Sequence, residues 1–209
     1  MIIDKNYWNN YYSINSETKI NSSFSEFISS FLTEDDRMIE LGCGDGRDAF
    51  YFAKKGLVVH AIDQSEEIIK VNKTKNTDGV FFHCADFTID PVFLDRDQRV
   101  KHVYSRFTLH SINKIDFEST LDWIYGRLEV GGYFHFEVRS CNDPLFGVGE
   151  SLGDNGYYSS HYRRFFSPRE TLVQFSDRGF HAVIFVEDFL SANIETDKSV
   201  VIRAVFKKL

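Results

Sequence analysis

Apolar residues along this chain change period repeatedly, and the changes predict the order of its elements. Short runs rich in valine, isoleucine and phenylalanine occur at Met38–Gly42, Leu57–Asp63, Val80–Asp86, Arg99–Phe107, Tyr133–Ser140, His181–Leu190 and Ser199–Lys208. Each reads as a strand. Between them lie stretches with helical spacing. Arg47–Gly56 is stopped by its glycine, and Ser65–Lys75 opens on a serine cap with two acids in its first turn. Phe117–Gly132 is closed by two glycines, and a last helix runs from Pro168 to about Asp177. Ahead of the first strand a helical region covers Tyr7 to Leu32, interrupted around Asn15–Ser16, before "TEDDR" breaks the pattern.

Strands alternating with helices predict an α/β fold: a Rossmann-like, seven-stranded, mostly parallel sheet with helices on both faces. The last two runs are separated by "SANIETDK", without a helical segment, which predicts an antiparallel pair at the sheet's edge and an antiparallel last strand. The prolines Pro91, Pro144 and Pro168 each sit beside an expected loop. With no internal repeat or linker, residues 1–209 read as one domain. Ligands of such sheets bind beyond the carboxyl ends of the strands, where the glycine loop, Asp63, Asp86 and the segment Ser105–Phe107 would gather.

Composition narrows this picture a little. The 209 residues, 43% of them apolar and 26% charged, suit a soluble globular domain. The aromatic share of 16%, with 21 Phe and 10 Tyr, leaves flat surface for a heterocycle after the core is filled. A net charge of −7 argues against a nucleic-acid partner, whose affinity rests on a basic field. Cys43, Cys84 and Cys141 are dispersed and odd in number, so neither a disulfide framework nor a metal site is expected, and the setting is read as cytoplasmic. No membrane span or signal peptide is expected.

The chemistry starts at "MIELGCGDGRDAF", which places three glycines in five positions after the first strand. A phosphate-cradling loop needs Gly-Lys-Ser/Thr, but Gly46 is followed by Arg47 and Asp48. A dinucleotide turn needs a third glycine where Arg47 stands, and Asp45 would repel a pyrophosphate. A nucleotide without phosphates remains.

"ELGCGDG" resembles the glycine-rich signature of class I S-adenosylmethionine (SAM)-dependent methyltransferases, and the resemblance extends through nearly the whole chain. It implies SAM as cofactor and S-adenosylhomocysteine as product. By the same resemblance Gly42, Gly44 and Gly46 admit the methionine and ribose parts, and Glu40 stands behind the loop or holds the amino end. Asp63 would accept both ribose hydroxyls on its two oxygens. Asp86 would take the adenine amino group, with Phe87 beside it. Ser105, Arg106 and Phe107 would line the cofactor near its methyl, and Tyr11, Cys43, Arg47, Gln64 and Ala85 complete the expected shell.

The Asn/Asp-Pro-Pro-Tyr/Phe motif of nucleobase and amide methylation is absent after the fourth strand. "YWNNYY", "YSRFTLHSI" and "HYRRFFSPRE" instead resemble bacterial small-molecule methyltransferases of surface-polysaccharide or other metabolite pathways. Methyl transfer to oxygen or nitrogen of a small, anionic acceptor is therefore expected, by a monomer or homodimer. The alternatives are an RNA or protein methyltransferase, and a non-catalytic SAM-binding regulator. His110 is the candidate general base, with a satisfied structural histidine as the competing reading. Arg106 either meets the acceptor or braces its loop through a carboxylate. Residues 140–166 read as a long, glycine-containing insertion on the acceptor side. Arg139, His161, Tyr162, Arg163 and Arg164 would clamp an anion there, unless acids such as Glu150 or Asp154 neutralise them. Residues 1–32 form a helical cap in which Tyr7, Trp8, Tyr11 and Tyr12 share one helix face.

Overall fold

The computed structural model describes residues 5–75, 77–89, 98–189 and 199–209. Pro91 and the connection "SANIETDK" lie outside them. Seven strands form one sheet in the order β3-β2-β1-β4-β5-β10-β9. They are β1 (Arg37–Leu41), β2 (Val58–Asp63), β3 (Val80–Cys84), β4 (Val100–Arg106), β5 (Leu128–Arg139), β9 (Phe180–Phe189) and β10 (Val200–Lys208). β1, β2, β3, β4 and β5 pair in parallel, while β10 runs antiparallel to both its neighbours. The last strand is thus inserted between β5 and β9, and β9 forms the edge.

Burial explains why the inner strands β1, β4 and β10 read as continuous apolar runs rather than alternating ones, since both their faces are covered, while the edge strands β3 and β9 are partly exposed. On β1 and β4, neighbouring residues feed opposite cores. Ile39 and Val103 join a cluster with Phe117, Leu121 and Phe175. Met38 and Tyr104 join another with Phe24, Phe52 and Ile68. The first cluster is covered by α5 (Lys114–Arg127) and α6 (Pro168–Ser176), the second by α2 (Ser23–Phe27), α3 (Arg47–Lys54) and α4 (Glu66–Thr74).

Three boundaries differ from the sequence expectation. The N-terminal helical region divides into α1 (Lys5–Ile14) and α2, with a wider gap than Asn15–Ser16. Two acids hold that gap extended: Asp45 accepts from the Lys19 N–H and Asp48 from the Ser22 N–H. The helix expected to close at Gly131–Gly132 ends at Arg127 instead. Buried Leu128 already pairs with Val100, and Gly131, at φ 77°, lies in the irregular stretch before pairing resumes at Tyr133. Finally, the insertion contains a three-stranded antiparallel sheet of β6 (Glu150–Gly153), β7 (Gly156–Tyr158) and β8 (Tyr162–Arg164). Its first turn, Asp154–Asn155, has positive φ at both residues, the conformation that fits a two-residue hairpin to the twist of its strands.

Candidate active site

The loop between β1 and α3 is pinned by β2. Gly42 and Cys43 donate their N–H groups to the Ile62 carbonyl, 2.8 and 2.9 Å away. Asp63 closes the arrangement: Oδ2 accepts from the Gly44 N–H at 3.0 Å, and Oδ1 from the Ser65 N–H at 2.9 Å. Asn72 on α4 donates to the Gly44 carbonyl at 2.7 Å. Gly42 is needed on two counts, because its φ is +71° and a Cβ there would overlap the Thr108 side chain.

This loop forms one wall of a cavity of about 380 Å³. Tyr11, Glu40, Gly42, Cys43, Gly44, Arg47, Asp63, Gln64, Asp86 and Phe87 line one part of it. That part is acidic. Burial, with Asp48 and Asp45 nearby, pushes the Glu40 carboxyl well above the usual carboxylate range, and its Oε2 has no hydrogen-bond partner. Burial also raises Asp63, opposed by the N–H groups of Ser65 and Gly44. Asp86 holds its own turn, with Oδ1 accepting from the Thr88 N–H and hydroxyl. A phosphate would be repelled here. The residues do fit a SAM molecule: the unpartnered Glu40 oxygen suits an ammonium, and each Asp63 oxygen keeps a lone pair for a hydroxyl.

Beyond β4 the lining turns basic, with Arg106, Arg139, Arg163, His110 and His161. Arg106 lines the cavity, and its Nε lies 2.8 Å from Glu137 Oε1, the carboxylate contact of the bracing reading. That contact is an ion pair without hydrogen-bond alignment. Glu137 is fully buried and also accepts from Arg203 Nε at 2.6 Å. Arg139 donates to Asp143 and Ser199, at 2.8 and 2.7 Å, and Arg163 to Ser159 at 3.2 Å. Asp154, one of the acids weighed as a neutralising partner, contacts Lys114 at 3.5 Å and also acts on Arg164, opposing the fall in its pKa.

Phe107 stands at the junction. Its φ of 52° is unusual for a bulky residue and is held by its N–H bond to the Glu137 carbonyl. The guanidiniums of Arg106 and Arg139 lie 4.7 and 5.5 Å from its ring centre, and the His110 ring meets it edge-on at 5.4 Å. His110 lies in a 3-10 turn, Leu109–Ser111, buried and with Nδ1 unpartnered. Burial, then Arg139 and Arg163, hold its pKa well below the ordinary value, so it is neutral near pH 7.

α1 covers the cavity with its aromatic face. Tyr7 and Trp8 pack on the His161 ring with centroids 4.5 and 5.5 Å apart, and the Tyr12 hydroxyl fills the space over Gly44. From the sequence, Tyr11 is an expected cofactor residue, and Tyr7, Trp8 and Tyr12 share its face of an N-terminal helix expected to close over the cofactor. The sequence reading passed over Thr108, Asp48 and Glu137. Glu137 carried a usable signal, an acid inside the apolar run "YFHFEVRS".

Five expected residues are not among those lining this cavity. Gly46 faces Phe50, Phe82 and Asn72. Ala85 packs on the core, and Ser105 is fully buried within β4 with its hydroxyl unpartnered. Tyr162 packs over Gly156, and Arg164 points to a separate cavity behind β8. Among the described residues no group of three or more His, Cys, Asp or Glu is placed to hold a metal ion, and no helix is long and apolar enough to cross a membrane.

The fold is that of class I methyltransferases. The chain aligns with a SAM-dependent methyltransferase of Methanosarcina mazei at TM-score 0.74 and 19% identity, covering 91% of this chain and 99% of that one. A Burkholderia thailandensis 1,6-didemethyltoxoflavin N1-methyltransferase, solved with its substrate and S-adenosylhomocysteine, gives TM-score 0.70 and 17% identity over 98% and 85% of the two chains. A methyltransferase-domain family model matches residues 38–132. Among curated relatives, the Triticum aestivum phosphoethanolamine N-methyltransferase 1 is 34% identical over 107 residues, covering 50% of this chain and 21% of that protein. An Arabidopsis thaliana phosphoethanolamine N-methyltransferase 1 is 31% identical over 62% of this chain and 26% of its own length. The chain thus spans about a quarter or less of the relatives it matches.

Proposed function

We propose that the protein transfers a methyl group from SAM to an oxygen or nitrogen of a small anionic metabolite or sugar precursor. One observation carries this reading: the cavity is divided into a carboxylate part and a guanidinium part that meet at Phe107. A cationic nucleotide and an anionic acceptor are sorted into opposite ends by that division.

Bound SAM supplies a methyl on a sulfonium, which leaves as a neutral thioether. The chain's own contribution is placement: Glu40, Asp63 and Asp86 orient one partner, Arg139 and Arg163 the other. Holding two reactants in line supplies up to about 7–11 kcal/mol of the barrier in favourable cases. His110, neutral and beside Phe107, takes the proton of a hydroxyl or ammonium acceptor. α1, seated on His161, keeps water out. The curated relatives are named for phosphoethanolamine, so a small phosphorylated amine is the first acceptor to try.

The test combines calorimetry of SAM with turnover of labelled SAM against phosphorylated amines, hydroxy acids and sugar nucleotides. We expect micromolar SAM affinity and one accepted class. SAM binding without any acceptor would favour a regulatory protein, salt-sensitive RNA binding a macromolecular enzyme, and binding of NAD or ATP in place of SAM would remove the proposal.

A further inference from the structure

β8 presents consecutive arginines to opposite sides. Arg163 lines the cavity described above, whereas Arg164 lines a second one of about 310 Å³. Lys114, Asn155, Ser167, Thr171 and Gln174 share that lining, with Asp154 and Glu170.

Arg164 is only 5% exposed, and its Nε and Nη2 have no hydrogen-bond partner. Its guanidinium packs against the rings of Phe117 and Phe166, 4.4 and 4.1 Å from their centres. Rings hold a guanidinium by its faces and leave its N–H edge unsatisfied. Burial lowers its pKa to about 10, a fall that Tyr162, Glu118 and Asp154 oppose only in part. A buried cation with unmet donors is expensive, and a chain that retains one beside a cavity is poised for an acceptor. The rest of the lining agrees. Lys114 adds a second cation, and Ser167 caps α6, whose N-terminus faces the same space. Asp154 and Glu170 are exposed, and Lys114 already contacts Asp154 at 3.5 Å. Two acids of that kind disfavour a multiply charged occupant and tolerate a singly charged one.

We propose that this cavity is a second ligand site, which receives the carboxylate or phosphate oxygens of a small, singly charged anion on Arg164. The inference does not depend on methyl transfer, because it concerns another cavity and another side chain. Because Arg163 and Arg164 share a three-residue strand, occupancy would also steady the arginine that faces the first cavity.

The experiment is a thermal-unfolding titration of the full chain with sodium acetate and with inorganic phosphate, at constant ionic strength set by chloride. We expect a saturable rise in Tm of a few degrees with at least one probe. The rise should vanish in Arg164→Met, shrink in Lys114→Gln, and persist in Arg139→Met, because Arg139 does not line this cavity. Without probe, Arg164→Met should match or exceed the parent in Tm, since it replaces an unsatisfied buried cation by an apolar chain. If that variant fails to fold, Lys114→Gln, on an exposed side chain, carries the test through its reduced response. A response to acetate alone assigns a carboxylate, and to phosphate alone a phosphate. No saturable rise with either, or a rise that survives Arg164→Met unchanged, overturns the proposal. SAM affinity, measured separately, keeps this outcome distinct from that of the methyltransferase reading.

Discussion

At the Glu40 end of the main cavity the key carboxylate, Asp63, is held by backbone N–H groups of Gly44 and Ser65, while at the Arg139 end the guanidiniums are held by side chains, both local and distant in the chain. The first arrangement uses neighbours in the β1–α3 and β2–α4 turns. The second joins Arg139 to Ser199 and Arg106 to Glu137, and Glu137 to Arg203. Backbone donors are fixed by the fold and tolerate almost any surrounding sequence. Side-chain partners can be exchanged without altering the sheet, so the two ends of the cavity are built with different materials.

The comparison can be broken by mutation. The largest effect is expected at the junction, where His110→Ala should lower kcat by about 10²-fold or more while leaving SAM affinity intact. An unchanged rate would show that His110 is structural. Its depressed pKa predicts that kcat holds up as pH falls below the ordinary histidine range, near 6.5, because the base stays neutral there. Asp63→Ala should weaken SAM by roughly 2–3 kcal/mol, about 30- to 160-fold, with calorimetry as the check. Arg139→Met should instead raise the acceptor KM by about 10-fold or more and leave SAM alone. Equal losses of both ligands in either variant would dissolve the division.

A pH series sharpens the acidic end. Glu40 and Asp63 have raised pKa values in the free protein, so lowering pH protonates them before ordinary carboxylates. A cationic ligand prefers the ionised forms, so SAM affinity should fall as pH drops through that raised range, and Glu40→Gln should flatten the dependence. The free protein shows the opposite trend for these two groups, since protonation in the folded state stabilises it. The smallest effect belongs to the lid. Tyr7→Ala removes a ring contact with His161 worth about 1 kcal/mol, so KM values should rise a few-fold. His161 itself has its pKa lowered to about 4, through burial and then Arg163 and Arg139. It contributes stability above pH 6.5 that is lost progressively as pH falls toward 4.

Much of the sheet is legible because its inner strands, such as β1, β4 and β10, are buried on both faces and so read as apolar runs. Where the reading failed, local signals were outvoted by distant partners. Gly131 suggested a helix stop, but burial of Leu128 against Val100 starts the strand earlier. The insertion reads as a long glycine-containing connection, whereas its "GDNG" spells the tight turn of a hairpin. Arg163 and Arg164 were grouped as one clamp, although strand geometry sends adjacent side chains to opposite faces.

By itself the chain's order of residues determined the layered architecture, the glycine loop and the acids that end β2 and β3. Periodicity, backbone conformation and turn chemistry act over a few neighbours, and those are written consecutively. Only the tertiary structure decided that Glu40 keeps an unpartnered oxygen, that His110 is buried among arginines, and that α1 closes on His161. It alone also decided that Arg164 faces another cavity. Those properties depend on which groups surround a charge in space, and desolvation has no counterpart in sequence distance.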